Sequence, residues 1–125
     1  MGSSKKCIIE FTEFANDDLS KLSDSLRQEC WDMLQKLENN IHLGKGLLDN
    51  GIRDLSDCFK LYFHNGEYRI IYLKKNGCYE IQGITATRNV AEIVGIGPRE
   101  GYQVYDDVAK RLKRFLWFFK ESIKE

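Results

Sequence analysis

Lys60, Tyr62, His64 and Arg69 stand close together in the stretch Leu55–Tyr72, LSDCFKLYFHNGEYRIIY. Two cations on one rigid support can share an anion: lysine acts as a point charge, and arginine donates several charge-assisted hydrogen bonds from a planar fork. A second basic point comes late in the chain, at Arg99 in GIGPRE, with Tyr105 following at the start of a closing helix. A tyrosine hydroxyl can stack, orient or transfer a proton. Tyr62 and His64 are candidate substrate-binding residues, and the ordinary pKa of histidine suits acid or base work. The sequence offers no Ser-His-Asp arrangement, carboxylate pair or Gly-rich phosphate loop. GIGPREG lacks the lysine-serine ending of a Walker loop and opens no βαβ unit. Cys7, Cys30, Cys58 and Cys78 form no C-x-x-C pair, and the chain has only 2 histidines. No zinc, other metal or cofactor is therefore expected, and the cysteines read as reduced, buried thiols.

The support for the first cluster is a β-hairpin. Asn65-Gly66 is the strongest short-range hairpin signal, because a type I′ turn needs φ > 0 at both central residues. A two-residue loop then sets His64 against Glu67, Phe63 against Tyr68, Tyr62 against Arg69, Leu61 against Ile70 and Lys60 against Ile71. Side chains alternate between faces, so Phe59, Leu61, Phe63, Tyr68, Ile70 and Tyr72 make a core face. Lys60, Tyr62, His64 and Arg69, with Ile71, fall on the other. Lys60 and Arg69 are diagonal neighbours, roughly 7–8 Å apart at the backbone and within reach of one anion.

The remaining elements frame this hairpin. Cys7–Phe14, rich in β-formers, predicts an opening strand. Asn16-Asp17-Asp18 predicts the cap of a short helix to about Ser23. Leu26, Cys30, Met33, Leu34, Leu37 and Ile41 recur at helical spacing and predict a longer helix from Asp24 to Asn40. Trp31 lies off that stripe, and a patternless connector runs to Asp54. Lys74–Gly77, KKNG, predicts a second turn, followed by a strand Cys78–Ile84. Polar Thr85–Asn89 interrupts before a strand Val90–Ile96, leaving open whether these are two strands or one arm with an excursion. Pro98 ends the last strand, and Tyr102–Lys120 predicts a helix with a stripe of Val104, Val108, Leu112, Phe115, Leu116 and Phe119. The expected fold is α+β: a small antiparallel sheet with two N-terminal helices and a C-terminal helix, in one domain spanning residues 1–125. The opening residues 1–5 are expected to be a tag remnant or disordered.

A chain of 125 residues with 42% apolar content can build one core without disulfides. Its apolar runs are too short to span a bilayer, and no signal peptide is read ahead of Lys5, which predicts a cytoplasmic protein with no membrane partner. The net charge of zero conceals a polarity. Residues 1–59 hold 7 Lys/Arg against 11 Asp/Glu, whereas residues 60–114 hold 10 against 6. The basic surplus begins at the hairpin, which suits a phosphate-bearing partner.

DCFKLYFHNGEYRIIY followed by IGPREGYQVYDDVAKRL resembles the RelE branch of the RelE/ParE toxin superfamily. That branch carries a "DCYK" strand, a "GYRLVY" strand and a "GKRE…VY..A.KRL" ending; the resemblance covers Leu55–Leu112, and the opening strand and helices fit the same order. It implies the toxin of a type II toxin-antitoxin system. Such a toxin is a metal-independent endoribonuclease that cuts messenger RNA on the ribosome, the RNA's own 2′-OH attacking the adjacent phosphate, and so inhibits translation. Position by position, the implied catalytic residues are Lys60, Arg69, Arg99 and Tyr105. Arg69 would stabilise the pentavalent phosphate and Arg99 the leaving 5′-oxygen. Tyr105 would orient the base or move a proton, and Lys60 would neutralise phosphate charge. The sequence departs from the family at Tyr62, where a second lysine is usual, at Gly101 in place of a basic residue, and in an insertion between Tyr72 and Gly97.

The resemblance also implies an antitoxin. Phe115–Phe119 places five large apolar residues in succession, and Trp117 and Phe118, off the helix stripe, are its expected contacts. Two rival functions accompany this one: a ParE-like inhibitor of DNA gyrase without nuclease activity, and a catalytically weakened relative retained as a binding protein.

Overall fold

The computed structural model describes residues 6–47 and 54–113. The chain runs β1 (Ile8–Phe11), α1 (Glu13–Ser20), α2 (Asp24–Asn39), β2 (Lys45–Gly46), β3 (Cys58–Phe63), β4 (Tyr68–Ile81), β5 (Ile84–Pro98), a 3-10 turn (Glu100–Tyr102) and α3 (Gln103–Leu112). The fold is α+β, and the sheet order is β1-β5-β4-β3-β2. Trp117 and Phe118 lie outside the described residues.

The β3–β4 hairpin has the predicted register, with Tyr62 opposite Arg69 and Lys60 opposite Ile71. Glu67 N donates to His64 O at 3.0 Å across the turn, and Asn65 (φ 55°) and Gly66 (φ 82°) supply the two positive dihedrals of a type I′ turn. β4 and β5 form one long antiparallel hairpin, whose turn splits the expected strand Cys78–Ile84 between them. KKNG is not a turn: β4 continues through it to Ile81, and the chain reverses at Gln82 (φ 52°) and Gly83 (φ 78°). Burial decides between these two turn signals. A turn at Asn76-Gly77 would set Ile70 and Ile71 against Gly83 and Gln82; the observed register sets them against Ile96 and Gly95. Thr85–Asn89 accordingly belongs to β5.

The sheet is mixed, not wholly antiparallel, because β1 runs parallel to β5, with Ile8 beside Val90 and Phe11 beside Ile93. The opening strand is shorter than expected and α1 begins earlier. Thr12 is the N-cap, its hydroxyl accepting from Ala15 N at 3.1 Å. Ser23 caps α2 in the same way, accepting from Leu26 N at 3.3 Å. The connector before the hairpin holds β2, whose Lys45 sits opposite Lys60.

Each face of the sheet is covered. On one, α1 and α2 bury Leu19, Cys30, Leu34 and Leu37 against Leu61, Phe63, Ile70 and Tyr72. On the other, α3 lays Val104, Tyr105, Val108 and Ala109 over Ile71 and Val94. Gly95 lets α3 approach: a Cβ there would collide with Val108 Cγ2. β1 pairs with β5 only as far as Ile93, which leaves the next backbone groups on that edge of β5 without a strand neighbour. Asp18 of α1 accepts from Ile96 N at 3.0 Å, and Arg111 of α3 donates to Val94 O at 3.0 Å. The two side chains also meet each other at 2.7 Å, locking α1, β5 and α3 together.

Candidate functional site

The face of the β3–β4 hairpin turned toward α3 carries Lys60, Tyr62 and Arg69, as alternation requires. Arg69 is 6% exposed, the only charged residue buried to this degree among the described residues. Its burial is compensated on three sides. Nε donates to the Tyr105 hydroxyl at 3.2 Å, Nη1 donates to the carbonyls of Gly66 and Tyr68, and the Tyr62 ring lies 3.9 Å from Cζ. Among the described residues, Nη2 makes no hydrogen bond. Tyr105 is itself 8% exposed, its ring in the α3 core and its hydroxyl at the site. It thus serves packing and the site at once.

Lys60 reaches over the Tyr62 ring, its Nζ 5.5 Å from the centroid. Its interaction with the phenol oxygen, helped by the charges of Lys60, Arg69 and Lys45, outweighs desolvation and holds the Tyr62 hydroxyl below its usual 10.0. Lys45, opposite Lys60, is a cation that sequence reading missed because nothing in the connector signals a strand. Like charges directly opposite on neighbouring strands repel, and Lys45 adds to the positive charge of this face. Lys36, Lys45, Lys60 and Tyr62 border a groove of about 270 Å³ beside this face.

Arg99 lies past the end of β5, where its backbone N–H donates to Glu67 O at 2.8 Å and ties it to the hairpin turn. Its exposed guanidinium makes neither hydrogen bond nor ion pair among the described residues. It borders an open groove of about 580 Å³ between the hairpin turn and the 3-10 turn, together with Asn65, Glu67, Glu100 and Tyr102. Tyr102 is the second residue missed from sequence. It is 59% exposed, it adopts the left-handed region at φ 57°, and its ring lies 6.2 Å from that of Tyr105. The only sequence signal for it is an aromatic residue directly after Gly101, inside a turn.

His64 does not join the cationic face. Its φ of 53° ends the strand alternation one residue early. The ring turns to the α2 side, with Nδ1 at 2.9 Å from Glu29 and Nε2 at 3.7 Å from Glu67. The structure therefore brings Lys60, Tyr62, Arg69 and Tyr105 together, sets Arg99 at the adjoining groove, and removes His64 to the opposite side.

No protein-family model matches the sequence, and no curated protein matches it. Solved structures of the E. coli RelE toxin share its architecture. An arginine-to-alanine double mutant of that toxin in the free state gives a TM-score of 0.58 at 21% identity, over 86% of this chain and 98% of the other. The isolated E. coli RelE toxin gives 0.50 at 22% identity, over 85% and 98%. The fold is that of RelE.

Proposed function

We propose that this RelE-fold protein is the toxin of a toxin-antitoxin pair and acts as an endoribonuclease on messenger RNA, in association with the ribosome. The observation that carries the reading is the join between Arg69 and Tyr105, which holds a buried guanidinium against the Tyr62 ring that Lys60 also approaches. In the reaction the RNA 2′-oxygen bonds to phosphorus as the bond from phosphorus to the 5′-oxygen breaks. The 2′-proton leaves to a base, and the 5′-oxygen gains a proton. Arg69 Nη2 stabilises the pentavalent phosphate, Lys60 and Lys45 neutralise its charge, and Arg99 meets the charge developing on the leaving oxygen. Tyr105 orients Arg69 and takes part in proton transfer. Preorganised cations suffice without a covalent nucleophile, each donor being worth about 10²–10³ in rate.

The near-complete burial of Arg69 favours a second reading, a weakened relative kept for binding, since the Tyr62 ring covers one face of the guanidinium. Inducible expression with primer-extension mapping, wild type beside Arg99→Ala, separates the readings. Growth arrest with new transcript ends inside translated frames, lost in the variant, supports the nuclease. Arrest with intact transcripts and a DNA-damage response supports gyrase inhibition, and no arrest from folded protein supports the weakened relative.

A further inference from the structure

We infer that Tyr102 is a stacking platform for a nucleobase of single-stranded RNA, in the groove of Arg99; the inference rests on the RNA-cleaving reading above. Tyr102 is the most exposed aromatic side chain among the described residues, at 59%. An aromatic face beside an arginine in an open groove is the recurrent means of holding single-stranded nucleic acid, because every base offers a π-face and the backbone offers charge.

The backbone supplies an independent argument. A bulky residue in the left-handed region is strained, and glycine or asparagine would relieve that strain. Here Gly101 (φ 66°) and Tyr102 (φ 57°) take this conformation in succession, immediately before α3. The turn itself favours glycine or asparagine at this position, so the tyrosine is held there against backbone strain. The groove's chemistry also fits a base. Glu67, Glu100 and Asn65 border it beside Arg99 and offer acceptors to the exocyclic amines of a base. The Tyr105 ring, 6.2 Å away, connects the platform to the arginine that meets the phosphate.

The test uses the full chain and a single-stranded RNA oligonucleotide carrying 2-aminopurine beside a 2′-deoxy linkage that blocks cleavage. Base fluorescence reports stacking, and anisotropy reports binding. Tyr102→Phe keeps the ring and should bind within about 2-fold of wild type, whereas Tyr102→Asn should weaken binding by about 10-fold and restore fluorescence. Thermal denaturation should show the asparagine variant at least as stable as wild type, which excludes misfolding as the cause. Asparagine binding like wild type, or phenylalanine failing as badly as asparagine, overturns the platform. If Arg99→Ala still abolishes binding in that event, the RNA-cleaving reading survives. If the wild type binds no free RNA, the platform is overturned, and the cleavage reading is decided separately by the transcript mapping.

Discussion

The Tyr105 hydroxyl accepts a hydrogen bond from Arg69 Nε at 3.2 Å, although 36 residues separate them in the chain. One partner comes from the middle of the sheet and the other from the last described helix, so α3 docking and the aim of the guanidinium are a single structural event. Tyr105→Phe preserves the packed ring and removes the acceptor, leaving Nε without its partner. RNA cleavage by this variant should fall about 10–100-fold, and by Arg69→Lys about 10²–10³-fold. Single-turnover rates for both variants and their double mutant should be non-additive; fully additive losses would mean that the two residues act separately.

Tyr62 should ionise below its ordinary 10.0, because Lys60 interacts with its phenol oxygen. The shift is downward, so any stability linked to it is complete only above the ordinary value and is lost as pH falls through the lowered one. Phenolate absorbance of wild type minus Tyr62→Phe gives the titration of this residue. Lys60→Met should move the step back up; an unmoved step would detach Tyr62 from Lys60.

The Asp18–Arg111 pair is mostly buried, with side-chain exposures of 13% and 17%. Asp18→Ala strands the Arg111 charge and leaves the Ile96 N–H without its acceptor. Urea denaturation should show a loss of about 3–5 kcal/mol, as for other broken buried pairs. A loss near that of a surface pair, about 0–1 kcal/mol, would show that water replaces the carboxylate without cost.

The cysteines should divide sharply by reactivity. Cys7, Cys30 and Cys58 are buried and Cys78 is exposed. Burial pushes the Cys30 thiol up to about 12, so its thiolate is scarce at neutral pH. An aromatic disulfide reagent should therefore modify Cys78 quickly in native protein, and the others only on unfolding. Cys78→Ser should abolish the fast phase.

The parts legible in the sequence were those with local causes. Asn65-Gly66 specified a turn type, the turn specified the register, and alternation then placed Lys60, Tyr62 and Arg69 on one face. His64 escaped because a third positive φ precedes the turn, which alternation cannot foresee. KKNG carried a valid turn signal that lost to the pairing of Ile70 with Ile96. The parallel pairing of β1 had no local mark, since parallel neighbours meet only through distant segments. Tyr102 and Lys45 were illegible for a related reason: each gains its meaning from residues far away in sequence.

Asp18 has a consequence for timing. It is made early, yet its two partners, Ile96 and Arg111, follow 78 and 93 residues later. Synthesis proceeds from the amino terminus, so α1 must wait for nearly the whole described chain before its carboxylate is satisfied. Lys60 and Arg69 emerge in the interval without Arg99 or Tyr105. The full cationic face therefore cannot assemble by degrees while the chain is being made: Arg99 and Tyr105 join the hairpin only when the final strand and helix close onto Asp18.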